Sequence, residues 1–236
     1  MNTVLLMMGG SGTRMGASVP KQFLEVDGKP VFYYVVRAYA RMKEIAHICI
    51  VCPQSWISFV QDVIRPVPFA GRMLVSQGGE NRSQSVKCGL KAVEAFSAAD
   101  DIILIHDATH PYLDKAAVEK AIAIAKEQGG ATLAACQYDT CYAVDAGNLV
   151  RRVIPRQEIV SGASPEVFLY GDLKSIYFAA SDQELAAVTS AGAMALQHAV
   201  PMQAVPTKVL NLKLTYPDDM ELFKVLVKEY FFKEGC

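Results

Sequence analysis

The sequence predicts an α/β fold with a mostly parallel central sheet that is covered by helices, and with a β-arm that projects from it. Three observations lead to this class. Short unbroken apolar runs, bounded by glycine or polar residues, are typical of strands buried on both faces. Segments with helical periodicity separate these runs, and such alternation favours a parallel sheet. The alternation breaks between residues 138 and 160, where a hairpin is expected.

The elements are expected in a regular order along the chain. The first strand, at residues 4–8, leads directly into a glycine-rich turn. Further strands are expected at residues 48–52, 73–75, 102–105, 131–136, 202–205 and 210–214. Helices are expected at residues 31–43, 56–64, 83–96, 114–128 and 182–198. Asp114 is a good N-cap for the fourth helix, and Pro217 suits the first turn of a closing helix.

Residues 138–160 are expected to form the arm. Apolar runs begin at Tyr142 and Leu149, and the residues between them, Asp145 to Gly147, favour a turn. A short hairpin cannot bury both faces within one subunit, so the arm is expected to pack against a second copy of the chain. The sequence has no linker, low-complexity tract or repeat, which predicts one domain over residues 1–236.

The composition excludes several classes of partner. The chain has 23 basic and 24 acidic residues, which leaves no overall field to attract nucleic acid or an anionic membrane. The apolar N-terminus lacks a basic segment, which indicates a strand and not a signal peptide. No apolar run reaches the roughly 18 residues that span a bilayer. We therefore expect a soluble protein with no nucleic-acid or membrane partner.

The six cysteines are expected to be reduced thiols. Cys49 and Cys52 form a C-x-x-C pair, which can indicate a redox or zinc site. They lie within a predicted strand, however, where residues three apart point to opposite faces. No second cysteine or histidine pair completes a zinc site. Free thiols are typical of a cytoplasmic protein.

A glycine-rich loop follows the first strand. Residues 9–16 read GGSGTRMG, and PKQF follows at residues 20–23. Glycines let backbone N–H groups approach a polyphosphate, while Arg14 and Lys21 can stabilise charge that develops in phosphoryl transfer. The loop is neither a P-loop nor a regular dinucleotide fingerprint. The alternative is an ordinary strand-to-helix turn with solvated cations.

Asp107 follows a buried apolar run, and ligands of open α/β sheets collect beyond the carboxyl ends of strands. A carboxylate there can hold Mg²⁺ against a triphosphate, because this ion prefers oxygen ligands. The structural alternative is a helix or turn cap. The neighbouring His106 is expected to be structural, since a lone histidine at a strand end is weak evidence for catalysis.

Together these motifs resemble those of the 2-C-methyl-D-erythritol 4-phosphate cytidylyltransferases and the related ribitol-5-phosphate cytidylyltransferases. GGxGxRMG and PKQFL are followed in family order by residues 78–86, 106–108, 139–140, 165–168 and 211–215, so the resemblance covers nearly the whole chain. It implies a Rossmann-like nucleotidyltransferase sheet with a dimerising β-arm. It also implies transfer of CMP from CTP to a polyol phosphate, with Mg²⁺ as cofactor and a homodimer as the working unit.

The resemblance implies roles for individual residues. The expected catalytic cations are Arg14, Lys21 and Lys213, and the expected metal ligand is Asp107. The expected nucleotide contacts are Met8, Gly9, Gly10, Ser11, Gly12, Thr13, Gly79, Glu80, Ser85 and Ala108. The expected acceptor contacts are Thr140, Arg156 and His110, with Arg151 and Arg152 as competing candidates for Arg156. Arg82 is expected to support the loop that binds the base.

The chain departs from the family pattern mainly on the acceptor side. His110 stands where the family has an arginine, Glu166 where a glutamine is usual, and Ser190 and Leu210 where acidic residues are usual. Histidine offers a phosphate fewer bonds than arginine and loses its charge near neutrality. We therefore expect an altered acceptor pocket and a preference for an acceptor other than methylerythritol phosphate.

The implied reaction needs no covalent enzyme intermediate. A phosphate oxygen of the acceptor attacks the α-phosphate of CTP in line, and catalysis comes from positioning and charge stabilisation. Two alternatives stay open. One is another nucleotidyltransferase of the same fold that acts on a sugar phosphate or a molybdenum cofactor. The other is a degenerate nucleotide-binding protein without turnover.

Overall fold

The computed structural model describes residues 1–9 and 19–231 of the chain. The strands of this part are β1 (Asn2–Met7), β2 (Glu25–Val26), β3 (Lys29–Pro30), β4 (His47–Cys52), β5 (Arg72–Gln77), β6 (Ile102–Asp107), β7 (Gly130–Cys136), β8 (Cys141–Val144), β9 (Val150–Ile154), β10 (Val160–Leu169) and β11 (Gln203–Pro206). The helices are α1 (Val31–Ala40), α2 (Ile57–Ile64), α3 (Arg82–Val93), α4 (Lys115–Gln128), α5 (Tyr170–Ala179), α6 (Asp182–Ala187), α7 (Ala191–Gln197) and α8 (Pro217–Phe231).

Within the described residues, the central sheet has seven strands in the order β11-β7-β10-β6-β1-β4-β5. Strand β10 runs antiparallel to both of its neighbours, and the other pairs are parallel. This confirms the mostly parallel α/β sheet. Its centre is buried on both faces, because Leu5 packs into the apolar cluster on one side and Leu6 into the cluster on the other.

The cysteine pair follows the same alternation. Cys49 joins one apolar cluster and Cys52 the other, so the two side chains lie on opposite faces of β4, as predicted. Burial raises the pKa of Cys49 to about 12 and that of Cys52 to about 11, which keeps both thiols protonated. Cys88, Cys136 and Cys141 are also free, and Cys236 lies outside the described residues.

Side-chain caps fix the start of the helices that flank the candidate site. Asn81 accepts a hydrogen bond from the Gln84 backbone at the start of α3, and Asp114 accepts one from Ala117 at the start of α4, as predicted. Gly129 ends α4 with φ of 101°, a conformation that glycine adopts without strain. Pro217 begins α8, again as predicted.

The arm is a two-stranded antiparallel hairpin of β8 and β9, which confirms the sequence prediction. Asp145 closes its turn by accepting hydrogen bonds from the backbone of Gly147 and Leu149. Apolar side chains on the arm are about half exposed or more: Tyr138, Tyr142, Val144, Leu149, Val150, Val153 and Val160.

Several predicted elements were wrong. Residues 210–214 form no strand; this segment is irregular, although Leu214 donates a backbone hydrogen bond to Thr109. The single helix predicted at residues 182–198 is interrupted, because Ser190 caps a new helix, α7. The helices predicted at residues 31–43, 56–64 and 83–96 are shorter, and β10 and α5 were not predicted. No helix in the described ranges is long and apolar enough to cross a bilayer.

Candidate active site

The candidate site lies at the carboxyl ends of β1, β5 and β6. Met8 follows β1 and donates its backbone N–H to Val51 at 2.9 Å. Gly9 comes next, and a Cβ added there would lie 3.6 Å from Oγ of Ser85. Gly9, at the start of the glycine loop, therefore lies next to Ser85 of the predicted base loop. The other predicted loop residues, Gly10, Ser11, Gly12, Thr13 and Arg14, lie outside the described residues.

Lys21 is held close to the end of β1 by its neighbours in a 3-10 turn, Lys21–Phe23. Gln22 is buried, and its Nε2 donates to the backbone oxygen of Met8 at 2.7 Å. Phe23 stacks on Trp56 with 4.0 Å between ring centroids. The PKQF motif thus fixes a partly buried lysine near Met8, at the end of β1.

The predicted base loop runs from β5 into α3 and is braced by its own side chains. Ser85 Oγ accepts from the Gly79 backbone at 3.1 Å and donates to the Asn81 oxygen at 2.8 Å. Glu80 donates its backbone N–H to Oε1 of Gln84 at 3.0 Å. A Cβ at Gly79 would lie 2.5 Å from the Gln84 Cβ, so this position requires glycine. Ser85 therefore shapes the loop from within.

Asp107 ends β6 and is bound by two cations. Its Oδ1 accepts from Arg82 at 3.1 Å, and its Oδ2 accepts from Nζ of Lys213 at 2.8 Å. Burial alone would raise the pKa of Asp107, but the charges of Arg82 and Lys213 hold that pKa well below its usual range. The carboxylate is thus ionised and already neutralised by side chains.

Lys213 reaches Asp107 from the irregular segment before α8. The backbone bond from Leu214 to Thr109 at 2.9 Å holds this segment against the loop that follows β6. Ala108, in the same loop, is buried and donates its backbone N–H to Met7 at 3.0 Å. The predicted site residues Ala108, Asp107 and Lys213 are therefore brought together, although the predicted strand around Lys213 is absent.

Sequence reasoning missed the network behind Asp107. Arg82 was expected to support the base loop, but its guanidinium instead lies between Asp107 and Glu166, with Nη2 3.5 Å from Glu166. Glu166 also accepts from the backbones of Ala191 at 3.1 Å and Gly192 at 2.9 Å, the first residues of α7. Its position is on β10, which pairs with β6. The strand could be suspected only from the family match at Pro165 and Phe168, because an internal proline argues against a central strand.

His106, in β6, and His110, in the loop that follows it, are both neutral at physiological pH. Burial lowers the pKa of His106 to about 4, and its ring bonds Tyr39 and the His110 backbone, which supports the structural role expected for it. Burial, with the nearby His106, lowers the pKa of His110 to about 3. Nδ1 of His110 lies 2.9 Å from Oγ of Ser164. His110 therefore brings no positive charge to the site.

Thr140 and Arg156 lie on the arm. The pairing of Cys141 with Ile154 puts both at the base of the hairpin, where they are exposed. Neither of them is a hydrogen-bond partner of Asp107, whose carboxylate binds Arg82 and Lys213 and whose backbone bonds Ser164 and His110. Their role in acceptor binding stays a prediction.

Asp107 supplies one carboxylate, which suits Mg²⁺ only when substrate phosphates and water provide the other ligands. Among the described residues, no group of three or more histidine, cysteine or acidic side chains is arranged to hold a metal. Mg²⁺ is commonly bound by one or two carboxylates together with substrate phosphates and water. A single carboxylate at a strand end meets that requirement if Lys213 gives up Oδ2.

Comparisons with solved structures agree with this fold. The solved 4-diphosphocytidyl-2C-methyl-D-erythritol synthase of Anaerococcus prevotii has a TM-score of 0.79 at 19% identity, over 96% of each chain. The solved 2-C-methyl-D-erythritol 4-phosphate cytidylyltransferase of Francisella tularensis has a TM-score of 0.74 at 22% identity, over 94% of this chain and 97% of that one. At these identities the likeness concerns the fold.

The sequence comparisons are more specific. A protein named 2-C-methyl-D-erythritol 4-phosphate cytidylyltransferase, from Thermotoga neapolitana, is 32% identical over 230 residues, which is 98% of each chain. The protein is therefore an enzyme of the nucleotidyltransferase class. The model of one family matches residues 2–229, and its description is 2-C-methyl-D-erythritol 4-phosphate cytidylyltransferase. The chain belongs to that family.

Proposed function

We propose that this enzyme transfers CMP from CTP to a polyol phosphate, with release of pyrophosphate and formation of a CDP-alcohol. One observation carries the proposal beyond the family match. Gly9, the loop around Gly79, Asp107 and Lys213 come from four distant parts of the chain and meet at one edge of the sheet. Such an edge is where open α/β sheets bind nucleotides.

The nucleotide base is assigned to the loop that contains Gly79, Glu80 and Ser85. Cytosine has an exocyclic amine where uracil has an oxygen, so a backbone carbonyl that accepts from this amine favours CTP over UTP. The two-sided brace of Ser85 supports the role, because it fixes the direction of the Gly79 backbone. The triphosphate is assigned to the glycine loop, with Arg14 and Lys21 as its cations.

Asp107 is the residue that we assign to hold Mg²⁺, through its Oδ2. The ion, when bound, supplies positive charge to the triphosphate and to the leaving pyrophosphate. Lys213 then becomes available to the α-phosphate, since its ammonium is bound to Asp107 in the structure and its side chain is 47% exposed. Lys21 belongs to the same region, because its neighbour Gln22 donates to the backbone oxygen of Met8 at the end of β1.

The acceptor supplies its own nucleophile. A phosphate monoester dianion needs no general base, so the residues of the site act by alignment and by stabilising charge. Alignment of this kind contributes on the order of 7 to 11 kcal/mol to the lowering of a barrier. Thr140 and Arg156 are the side chains that we assign to orient the acceptor, Arg156 through its fork of donors.

The first candidate for the acceptor is 2-C-methyl-D-erythritol 4-phosphate, which is supported by the family to which the chain belongs. A second candidate is another polyol phosphate, ribitol 5-phosphate above all, with CDP-ribitol as the product. The reason to test it is the neutral His110, with Nδ1 2.9 Å from Oγ of Ser164, because this side chain gives the pocket a chemistry different from that of the arginine usual in the family.

Pyrophosphate release tests both candidates. The enzyme is incubated with Mg²⁺ and with CTP, UTP or GTP, against methylerythritol 4-phosphate, ribitol 5-phosphate, glycerol 3-phosphate and erythritol 4-phosphate. We expect turnover with CTP and one of the first two acceptors. Asp107→Asn keeps the size of the side chain but removes the charge, and should lower kcat strongly; Asp172→Asn, on α5, is the matched control. Absence of pyrophosphate with every acceptor would exclude the proposed reaction and favour a binding protein without turnover.

We also infer a homodimer formed through the arm. The support is the set of exposed apolar side chains on β8 and β9, since a contiguous apolar surface of this kind marks an interaction site. Leu149 and Val153 are 59% and 58% exposed. Val153→Asp should shift the mass in light scattering from two chains to one, while Val225→Asp, on the exposed side of α8, should leave it unchanged. A wild-type protein that is active as a monomer at micromolar concentration would contradict the inference.

The cytoplasm is the compartment that we propose for the enzyme. The support is the free state of the five described cysteines, which suits a reducing compartment.

A further inference from the structure

Among the described residues of the site, Arg82 is the one whose side chain reaches both carboxylates, those of Asp107 and Glu166. It is the first residue of α3, directly after the base loop. Nε and Nη2 both lie 3.1 Å from Oδ1 of Asp107, and Nη2 lies 3.5 Å from Glu166. In the described part of the chain, its Nη1 is buried and finds no hydrogen-bond partner. A buried donor without a partner costs about 1–3 kcal/mol, so this side chain is held in place by the bonds of Nε and Nη2 to the two carboxylates.

The two cations on Asp107 differ in how firmly they are held. Arg82 binds Oδ1 with two nitrogens, and its side chain is 29% exposed. Lys213 binds Oδ2 with one ammonium, its side chain is 47% exposed, and it stands on an irregular segment. A lysine is also a point charge on a flexible stem, whereas the arginine fork is planar and preorganised. Lys213 is therefore the cation that can dissociate from Asp107, whereas Arg82 remains bound to it.

Glu166 fixes the far side of Arg82. Its two oxygens accept from the backbones of Ala191 and Gly192, so the carboxylate cannot turn without opening the first turn of α7. Its side chain is 15% exposed, and at that burial a charged hydrogen bond is stronger than on the surface. The Arg82 guanidinium is consequently held from a rigid part of the fold while it holds Asp107.

We propose that Arg82 is the positioning residue of the metal-binding carboxylate: it fixes Oδ1 of Asp107 so that Oδ2 keeps its direction when Lys213 leaves for the substrate phosphates. The inference rests on the proposed function, because it assigns Oδ2 to the divalent ion. It goes beyond that function in naming the residue on which the geometry of Asp107 depends. Partners of this kind typically change metal affinity by about 10- to 100-fold when they are removed.

Metal binding without turnover tests the inference. Mn²⁺ is titrated into the full-length enzyme with CTP and no acceptor, and bound Mn²⁺ is followed by electron paramagnetic resonance. For Arg82→Gln we expect Mn²⁺ affinity to fall by about 10- to 100-fold. Binding of CTP in EDTA, measured by calorimetry, should change by less than about threefold, because the side-chain hydrogen bonds of Arg82 go to Asp107 and Glu166. Arg82→Lys keeps the charge without the fork and should recover part of the affinity.

Two further variants keep the test decisive. Lys91→Gln removes a cation from the exposed side of the same helix and should leave Mn²⁺ affinity unchanged. Glu166→Gln leaves Arg82 in place but removes its far partner, and should weaken Mn²⁺ binding in the same direction and by less. If Arg82→Gln does not fold, Glu166→Gln and Arg82→Lys still carry the test.

The inference is overturned if the Arg82 variants bind Mn²⁺ as the wild type does, or if they lose CTP binding in EDTA to the same extent as Mn²⁺ binding. The second result would mean that Arg82 only supports the base loop. Failure of the proposed function looks different: the wild-type enzyme would bind Mn²⁺ and CTP but release no pyrophosphate with any acceptor.

Discussion

Protonation of His106 is expected to lower the free energy of unfolding. Its side chain is fully buried. The His110 backbone oxygen can only accept, so Nε2, at 2.9 Å, carries the hydrogen and donates. Nδ1 is then an acceptor, and the hydroxyl of Tyr39, at 2.8 Å, donates to it. The ring is neutral in the fold, and burial lowers its pKa from 6.5 to about 4.

Because folding lowers the pKa of His106, the fold is expected to lose stability as the pH falls. A histidine whose pKa is lowered by folding stabilises the fold fully above its unfolded pKa, and this contribution is lost as the pH falls toward the folded pKa. The window is therefore pH 6.5 down to about pH 4. At about 1.4 kcal/mol for each tenfold difference in acid dissociation, the loss across the window is about 3 kcal/mol.

The perturbation is His106→Gln, since glutamine can keep a donor toward the His110 oxygen but does not titrate. Urea unfolding followed by circular dichroism at several pH values between 7.5 and 4 gives the free energy of unfolding. We expect the wild type to lose about 3 kcal/mol more than the variant over the window. His198→Gln, at an exposed position, is the control and should follow the wild type. Equal losses in wild type and His106→Gln would refute the assignment of a buried neutral ring.

The remaining predictions concern the loops. Lys21→Ala and Arg14→Ala should each lower kcat by at least about 100-fold and weaken CTP binding less, in steady-state pyrophosphate assays; near-normal turnover of either variant would remove that residue from the catalytic cations. Gly79→Ala should raise the Kd for CTP at least about tenfold in calorimetry, because the added Cβ would overlap Gln84, while Gly162→Ala, with open space around it, should not. Asp114→Ala should lower the free energy of unfolding by about 1 to 2 kcal/mol, measured in urea, through loss of its helix cap; an unchanged value would mean that the cap is not needed.

The parts of the fold that could be predicted are those in which local pattern and burial agree. Strands β1, β4 and β6 are covered on both faces, so their sequences are unbroken apolar runs that cannot be confused with an amphipathic helix. The arm was predictable because Asp145 and Gly147 give a turn between two apolar runs. Residues 210–214 have the alternation of a strand, but in the described structure they pair with no other strand. Pairing depends on the tertiary fold, so the local sequence gave no reason to reject a strand there.

The site divides in the same way. The residues that we assign to the nucleotide and the metal lie in loops whose motifs are continuous in sequence, so Gly79, Ser85 and Asp107 could be proposed before the fold was known. Arg82 was named for the wrong reason, because its true partners are 25 and 84 residues away. Glu166 could not be identified as a site residue, since its importance comes from the register of β10 against β6 and from the first turn of α7.

The reversed direction of β10 explains why the surroundings of Asp107 are so rich in polar groups. Parallel strands bring only their carboxyl ends and the following loops to the ligand edge of a sheet. An antiparallel strand instead brings residues from its own middle, and the pairing of Glu166 with Ile105 carries Glu166 to the level of the end of β6. Two carboxylates, of Asp107 and Glu166, then lie beside two cations, of Arg82 and Lys213, so the four charges cancel before any substrate arrives. If Mg²⁺ enters with CTP as proposed above, no charge is left unpaired: the ion would replace the positive charge of Lys213 at Asp107, and the phosphates would take up the charge of Lys213.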